Sequence, residues 1–299
     1  MYQLLILSAP DDDDRTRSIA GEWKKLGGTT QIIQSREMVF ESESGKLSLI
    51  HPTLELTQVD AVLGMFNGVM VDYVSYINQL TQSGAVTLSN DSGNQSALEQ
   101  SFIHRYTHVE KAGVRMPKTI YFTPISLNKA LEHIGFPMII KRLHSSSKHG
   151  IRFFKNDQDI KNKWGEIAMD DKVFVAKEYI QNKAEWRVVV IDHEVVAIYE
   201  RHGATDHFLS GFQESAERIA IRPEDRPDLC DIALEICKLL NYDISGIDII
   251  QDMKNDLYVL DINRYFQFKV TEEITGVNVA EKIAQLLWKK VELKRNSVV

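Results

Sequence analysis

Two runs near the C-terminal end carry the residues best suited to chemistry, Gly246-Ile247-Asp248-Ile249-Ile250 and Tyr258-Val259-Leu260-Asp261-Ile262-Asn263. Both are rich in β-branched and apolar residues, and the polar stretch Asp252-Met253-Lys254-Asn255-Asp256 separates them. That pattern predicts a β-hairpin. With the turn centred between Lys254 and Asn255, Asp248 lies opposite Asp261, and Asn263, two positions on, shares the face of Asp261. Two carboxylates and an amide oxygen then converge on one surface of one sheet. Such a hard-oxygen set suits magnesium, which is commonly held by one or two carboxylates together with substrate phosphates. A one-residue bulge would break this register, and the ordinary alternative is two acids on a half-exposed sheet.

Lys141 ends an apolar strand and opens His144-Ser145-Ser146-Ser147-Lys148-His149-Gly150. Ser145, Ser146, Ser147 and Gly150 are small enough to let backbone N–H groups fold over an anion. Lys141 and Lys148 can then neutralise phosphate charge. A solvated serine-rich turn is the plain alternative. Next comes Val173-Phe174-Val175-Ala176-Lys177-Glu178-Tyr179-Ile180, a strand that leaves one unit and enters the next. The exposed backbone at Glu178, Tyr179 and Ile180 can pair with an adenine edge while Tyr179 and Ile180 pack near the ring. Glu185 and Arg187 alternate with Trp186 and so project from one face. Glu185 can accept hydrogen bonds from ribose hydroxyls; the alternative is a surface ion pair of little energetic weight.

The elements that must position these residues follow from periodicity. Strands are expected at residues 4–7, 30–33, 59–63 and 84–88, with a helix that starts after an N-cap within 11–14 and runs to 26, and another from about 70 to 82. Strands separated by helices of this length imply a parallel, wound α/β layer. The acids at 11–14 read as helix-capping, solvated residues, and Gly27-Gly28 ends the helix. A helix over 95–111 leads to strands at 119–122, 136–141 and 150–154, with a short helix at 126–134. Strands at 173–180, 185–190 and 195–201 follow, then a helix at 227–240 bearing Cys230 and Cys237, the acidic hairpin, and a final amphipathic helix at 278–288. The tail from 292 to 299 is expected to fray.

Composition sets the class. The chain has 299 residues, 43% apolar and 26% charged, with a net charge of −7. That length holds two or three modest domains. The acidic balance argues against a general nucleic-acid binder, whose footprint would be a basic face. Two cysteines on one helix face form neither a disulfide framework nor a zinc site, which fits a reducing, cytoplasmic compartment. No apolar run approaches the ~18–20 residues a membrane span requires, and the start lacks the basic and small-residue segments of a signal peptide.

The order of these features is more specific than any one of them. Lysine with a Ser/Gly loop, an acid-apolar connector, Glu-x-Arg, then Asp…Asp-x-Asn resembles the ATP-grasp superfamily, and within it the RimK-like branch of amino-acid ligases. Ser89-Asn90, the helix through Lys111 and Ala112-Gly113-Val114-Arg115-Met116-Pro117-Lys118-Thr119 resemble the junction with the ATP-grasp core. Thr275-Gly276-Val277-Asn278-Val279-Ala280 resembles the segment opening the final helix. The resemblance implies an α/β (α+β ATP-grasp) fold: a wound parallel N-terminal domain over 1–116, then two ATP-grasp subdomains, over 117–180 (a lid) and 181–299, that clamp the nucleotide. It implies Lys141 on nucleotide phosphate, residues 145–150 as the lid loop, Glu178, Tyr179 and Ile180 as adenine hinge, Glu185 as ribose acid, and Asp248, Asp261 and Asn263 on magnesium or manganese. Arg187 and Arg201 match positions near the phosphate and acceptor end.

Three differences from the family stand out. Asp261 stands where glutamate is usual. No lysine occurs from 91 to 110, where relatives place one at about Ser101 or Phe102, and His104 or Arg105 is the nearest substitute. Arg264-Tyr265-Phe266-Gln267-Phe268 replaces small residues and proline. The implied reaction is ATP-dependent ligation of a small-molecule or peptide carboxylate to an amine through an acyl phosphate, releasing ADP. The rivals are a small-molecule ATP-grasp kinase and a nucleotide-binding protein with little turnover. Relatives of this kind commonly form dimers or tetramers; no nucleic acid or membrane partner is implied.

Overall fold

The computed structural model describes residues 1–8, 14–34, 37, 39–43, 46–50, 59–65, 71–82, 84–91, 102–142, 151–167, 173–202 and 217–297. Strand β1 (Gln3–Ser8) is the centre of a three-stranded parallel sheet, between β2 (Thr29–Gln34) and β5 (Ala61–Met65). Leu4, Leu5, Ile6 and Leu7 are all buried, as a continuous apolar run in a strand covered on both faces requires. Helices α1 (Asp14–Lys25) and α2 (Val71–Gln82) accompany the sheet. Gly27, at φ +90°, ends α1 in a backbone conformation that side chains disfavour.

Two expectations change here. The segment at 84–88 is no full strand and keeps a single bridge, Val86 to Ala61. Between β2 and β5 lies an antiparallel hairpin, β3 (Val39–Glu43) with β4 (Lys46–Ile50), that pattern reading passed over. In the sequence Ser44-Gly45 is a dipeptide that favours turns.

A four-stranded antiparallel sheet follows, in the order β6 (Thr119–Phe122), β9 (Phe174–Glu178), β7 (Met138–Arg142), β8 (Ile151–Phe154). The unforeseen helix Asp157–Ile167 shares one core with it through Ile160, Met138, Phe154 and Phe174. β9 lies inside this sheet, and the chain crosses to the next one immediately after it.

The third sheet is five-stranded and antiparallel, in the order β12 (Glu217–Ile221), β11 (Glu194–His202), β10 (Asn182–Ile191), β13 (Ile244–Asp252), β14 (Leu257–Asn263). Asp192 and His193, both at positive φ, form the tight β10–β11 turn. The helix Pro227–Leu240 covers one face, packing Leu229, Ala233, Ile236 and Cys237 on Trp186, Val188, Ile247 and Ile249. The other face is divided. Val189, Ile191, Ala197 and Ile244 join the core of β1 and α1. The remainder of that face carries the charged residues.

The N-terminal sheet is fastened to the third. Asn90 Oδ1 accepts the Asp243 and Ile244 N–H groups at 2.9 and 3.1 Å, and its Nδ2 donates to the Ile244 carbonyl at 2.7 Å. The last helix, Val279–Asn296, runs past the expected end at 288 and into the tail expected to fray. Val291 is buried and Arg295 bonds Asp60 at 2.6 Å, so tertiary contacts hold its final turns. No described helix is long and apolar enough to cross a membrane.

Candidate active site

Strand alternation brings the charged side chains together. On adjacent strands Arg201 faces Glu185, Arg187 faces Asp248, and Asp248 faces Asp261. Arg187 grips Asp248 in a fork, Nε to Oδ1 at 2.7 Å and Nη2 to Oδ2 at 2.8 Å. Arg201 donates to Glu185, to Asp248 Oδ1 at 3.0 Å and to the Tyr199 hydroxyl at 3.0 Å. Asn263 Nδ2 donates to Asp248 Oδ2 at 3.3 Å. Gly246 makes room for the fork. A Cβ there would stand 2.6 Å from Phe266 Cγ and 2.9 Å from Arg187 Nη1. Gly246→Ala is therefore expected to lose about 1–3 kcal/mol to overpacking; an unchanged urea midpoint would contradict this.

Asp261 is held from three directions. Tyr106, on the helix Phe102–Lys111, donates its hydroxyl to Oδ1. Lys141 reaches Oδ2 from β7 at 3.4 Å. Lys177, from β9, sends its ammonium to the Leu260 carbonyl next door at 2.6 Å. Burial pushes the Asp261 carboxyl up, but the Lys141 and Lys177 ammoniums and the Tyr106 hydroxyl outweigh it and hold it well below the carboxylate range. Asp261 is thus an anion at neutral pH. Burial, assisted by Lys141, brings Lys177 down to about 7. Burial also raises Glu185 above its ordinary value, against the pull of Arg201.

Of the residues singled out from sequence, Lys141, Glu185, Arg187, Arg201, Asp248, Asp261 and Asn263 meet here. Asp248 does oppose Asp261, although the turn is centred on Lys254 rather than between Lys254 and Asn255. Glu185 is turned onto Arg201, and its ion pair is buried rather than on the surface. Glu178, Tyr179 and Ile180, expected at an adenine hinge, stand at the exit of β9. Glu178 N–H donates to the Lys118 carbonyl at 3.0 Å and Tyr179 N–H to the Pro137 carbonyl at 3.1 Å. The donors a base edge would need are already engaged at these two positions. Ser145, Ser146, Ser147, Lys148 and Gly150 lie outside the described residues.

Neither suggested replacement for the absent helix lysine reaches Asp261 by a direct bond. His104 is exposed and stacks on His108, while Arg105 donates to the Tyr242 hydroxyl at 3.0 Å. Tyr106 is the residue of that helix that enters the site, and Lys177 is the second lysine. Sequence reading missed both. The available signal for Lys177 was a lysine at an inward position of an otherwise apolar strand.

The donor set fits a hard divalent cation. Among the described residues no three or more His, Cys, Asp and Glu side chains are grouped as a metal cluster. Two carboxylates and an amide on one face, beside Lys141, instead suit an ion that completes its shell with phosphate oxygens.

Residues 97–287 match the profile of the RimK-like ATP-grasp domain. The chain belongs to this family. It is similar to a probable alpha-L-glutamate ligase of Trichodesmium erythraeum, 22% identical over 297 residues and 97% of each chain. A probable alpha-L-glutamate ligase of Histophilus somni is 27% identical over 173 residues, and the match spans 56% of this chain and of that protein, about half its length. Among solved structures this ATP-grasp chain shares its fold with the ligase PsnB complexed with minimal precursor (TM-score 0.67, 16% identity, 97% of this chain and 100% of that one). The VanG D-Ala:D-Ser ligase of Enterococcus faecalis is as similar (TM-score 0.67, 15% identity, 98% and 99%).

Proposed function

We propose that this RimK-like ATP-grasp chain is an ADP-forming carboxylate–amine ligase. The acceptor carboxylate attacks the γ-phosphorus of ATP, giving an acyl phosphate and ADP. An amine then displaces phosphate and leaves an amide. The observation that carries this reading is the meeting of Asp248, Asp261 and Asn263 on one face of β13–β14, beside Lys141 and Arg187.

Phosphoryl transfer leaves little covalent chemistry to the protein, so the residues position groups and balance charge. Asp248, Asp261 and Asn263 would hold Mg2+, or Mn2+ in its place, which supplies positive charge at the phosphates. Lys141 would leave Asp261 for a phosphate oxygen. Arg187 would meet the acyl phosphate or an acceptor carboxylate through Nη1, since its Nε and Nη2 grip Asp248. Arg201 is better placed to fix Asp248 and Glu185 than to touch substrate, since its guanidinium bonds among the described residues go to Glu185, Asp248 and Tyr199. Glu178, Tyr179 and Ile180 would line the adenine, with pairing from carbonyls or from Ile180.

The test is incubation with ATP, magnesium and mixed amino acids and peptides, read by mass spectrometry. The names of the relatives make L-glutamate the first amine to offer. ADP formed one-for-one with an amide is the expected result. A phosphorylated metabolite would make the chain a kinase, and bound, unconsumed ATP would make it a sensor; either overturns the ligase reading.

A further inference from the structure

The β13–β14 hairpin does not keep one register. Near the turn Ile249 pairs with Val259 and Ile250 with Tyr258; beyond it Asp248 pairs with Asp261 and Gly246 with Asn263. Leu260 is the extra residue of a β-bulge. Had the first register continued, Asp248 would face Leu260, and Asp261 would face Ile247 on the opposite side of the sheet. The bulge is what brings Asp261 and Asn263 to the face of Asp248.

The outer edge of β14 shows how the bulge is held. Val259 N–H donates to the Arg115 carbonyl at 2.9 Å and Ile262 N–H to the Tyr106 hydroxyl at 3.2 Å. In a regular strand, groups pointing the same way are an even number of residues apart; these two are an odd number apart because of the bulge. Between them the Leu260 carbonyl points outward and accepts Lys177 Nζ at 2.6 Å. Lys177 also stands 4.7 Å over the Tyr106 ring centroid, so the two side chains brace each other. They come from different elements, and Lys177 is only 6% exposed.

We infer that Lys177 and Tyr106 are positioning residues that lock the Leu260 bulge and thereby hold Asp261 opposite Asp248. This rests on the reading of Asp248, Asp261 and Asn263 as the cation's donors. The lock concerns where donors stand, so it is read without turnover. Lys177→Met removes the ammonium and keeps the stem; Lys177→Arg keeps a donor. Binding of Mn2+ with ADP, followed by electron paramagnetic resonance, should weaken about tenfold or more in Lys177→Met. Amide exchange at Ile262 should accelerate relative to Ile249 on the neighbouring strand. Lys177→Arg should recover most of both. If Lys177→Met does not fold, Lys177→Gln enters the same two measurements. Unchanged exchange at Ile262 together with unchanged Mn2+ affinity in the folded variant would overturn the lock. Unchanged Mn2+ affinity in Asp261→Asn would instead overturn the donor reading, and exchange at Ile262 would still decide the lock.

Discussion

Asp261→Asn is expected to abolish magnesium-dependent ADP release and to leave the protein folded. The two hairpin aspartates are not equivalent in this respect. Asp261 keeps 30% of its side chain exposed, and an asparagine oxygen can still accept the Tyr106 hydroxyl. The change removes one negative charge from the donors proposed for the cation and weakens the pairing of Lys141 with this position. Loss of a direct ligand should exceed the 10–100-fold effect of losing an outer partner, so ADP release should fall about 100-fold or more. Asp248→Asn should stop the reaction too, but at a structural cost. Arg187 and Arg201 both depend on that carboxylate, and removing one partner of a buried pair costs roughly 3–5 kcal/mol. A coupled ADP assay at saturating magnesium and a thermal melt on each variant separate the effects. Normal turnover by Asp261→Asn would end its assignment to the metal.

Arg201→Met is expected to lose about 3–5 kcal/mol of folding stability at pH 8 and less at pH 5. Arg201 is 9% exposed and stands between Glu185 and Asp248. Without it the buried Glu185 and Asp248 carboxylates lose a shared cation, and Asp248 keeps the Arg187 fork. Burial already raises the Glu185 pKa above its ordinary 4.5 while Arg201 opposes the rise. A carboxyl raised in the folded state binds more protons there than in the unfolded chain. Stability therefore falls as pH climbs from about 4.5 through the folded value. Losing Arg201 moves that folded value further up and widens the window, so the deficit grows with pH. Adding Glu185→Gln should recover part of the loss at pH 8, because the buried charge goes with it. Urea titrations at the two pH values check this; a deficit independent of pH, or a double variant no better than the single, would refute it.

Side-chain direction in a strand is local, repeating every two residues whatever surrounds it. That periodicity alone puts Glu185 with Arg187, and Asp261 with Asn263, on shared faces. The turn residues at 252–256 made the hairpin legible, and the helix at 227–240 was readable from its apolar stripe. The order of lysine, connector, Glu-x-Arg and Asp…Asp-x-Asn was enough to point to the family that the profile match shows.

Register was not legible in this way. Asp248 meets Asp261 because a bulge at Leu260 offsets a turn centred one residue earlier than expected. Two departures from the simple hairpin cancel, and no rule within these two strands selects them. The groups that meet the edge of the bulge, Lys177 and Tyr106, come from elements far away in the chain. The same holds for Arg201, whose partners Glu185 and Asp248 lie on two other strands, and for the last helix, kept intact past 288 by Val291 and by Arg295 on Asp60. Composition and spacing sufficed for which faces are charged and which are apolar, since each residue's backbone settles that over two or three neighbours. Which charge meets which, and how far apart, depended on sheets and helices packing from separate parts of the chain, because ion pairing and burial act across space.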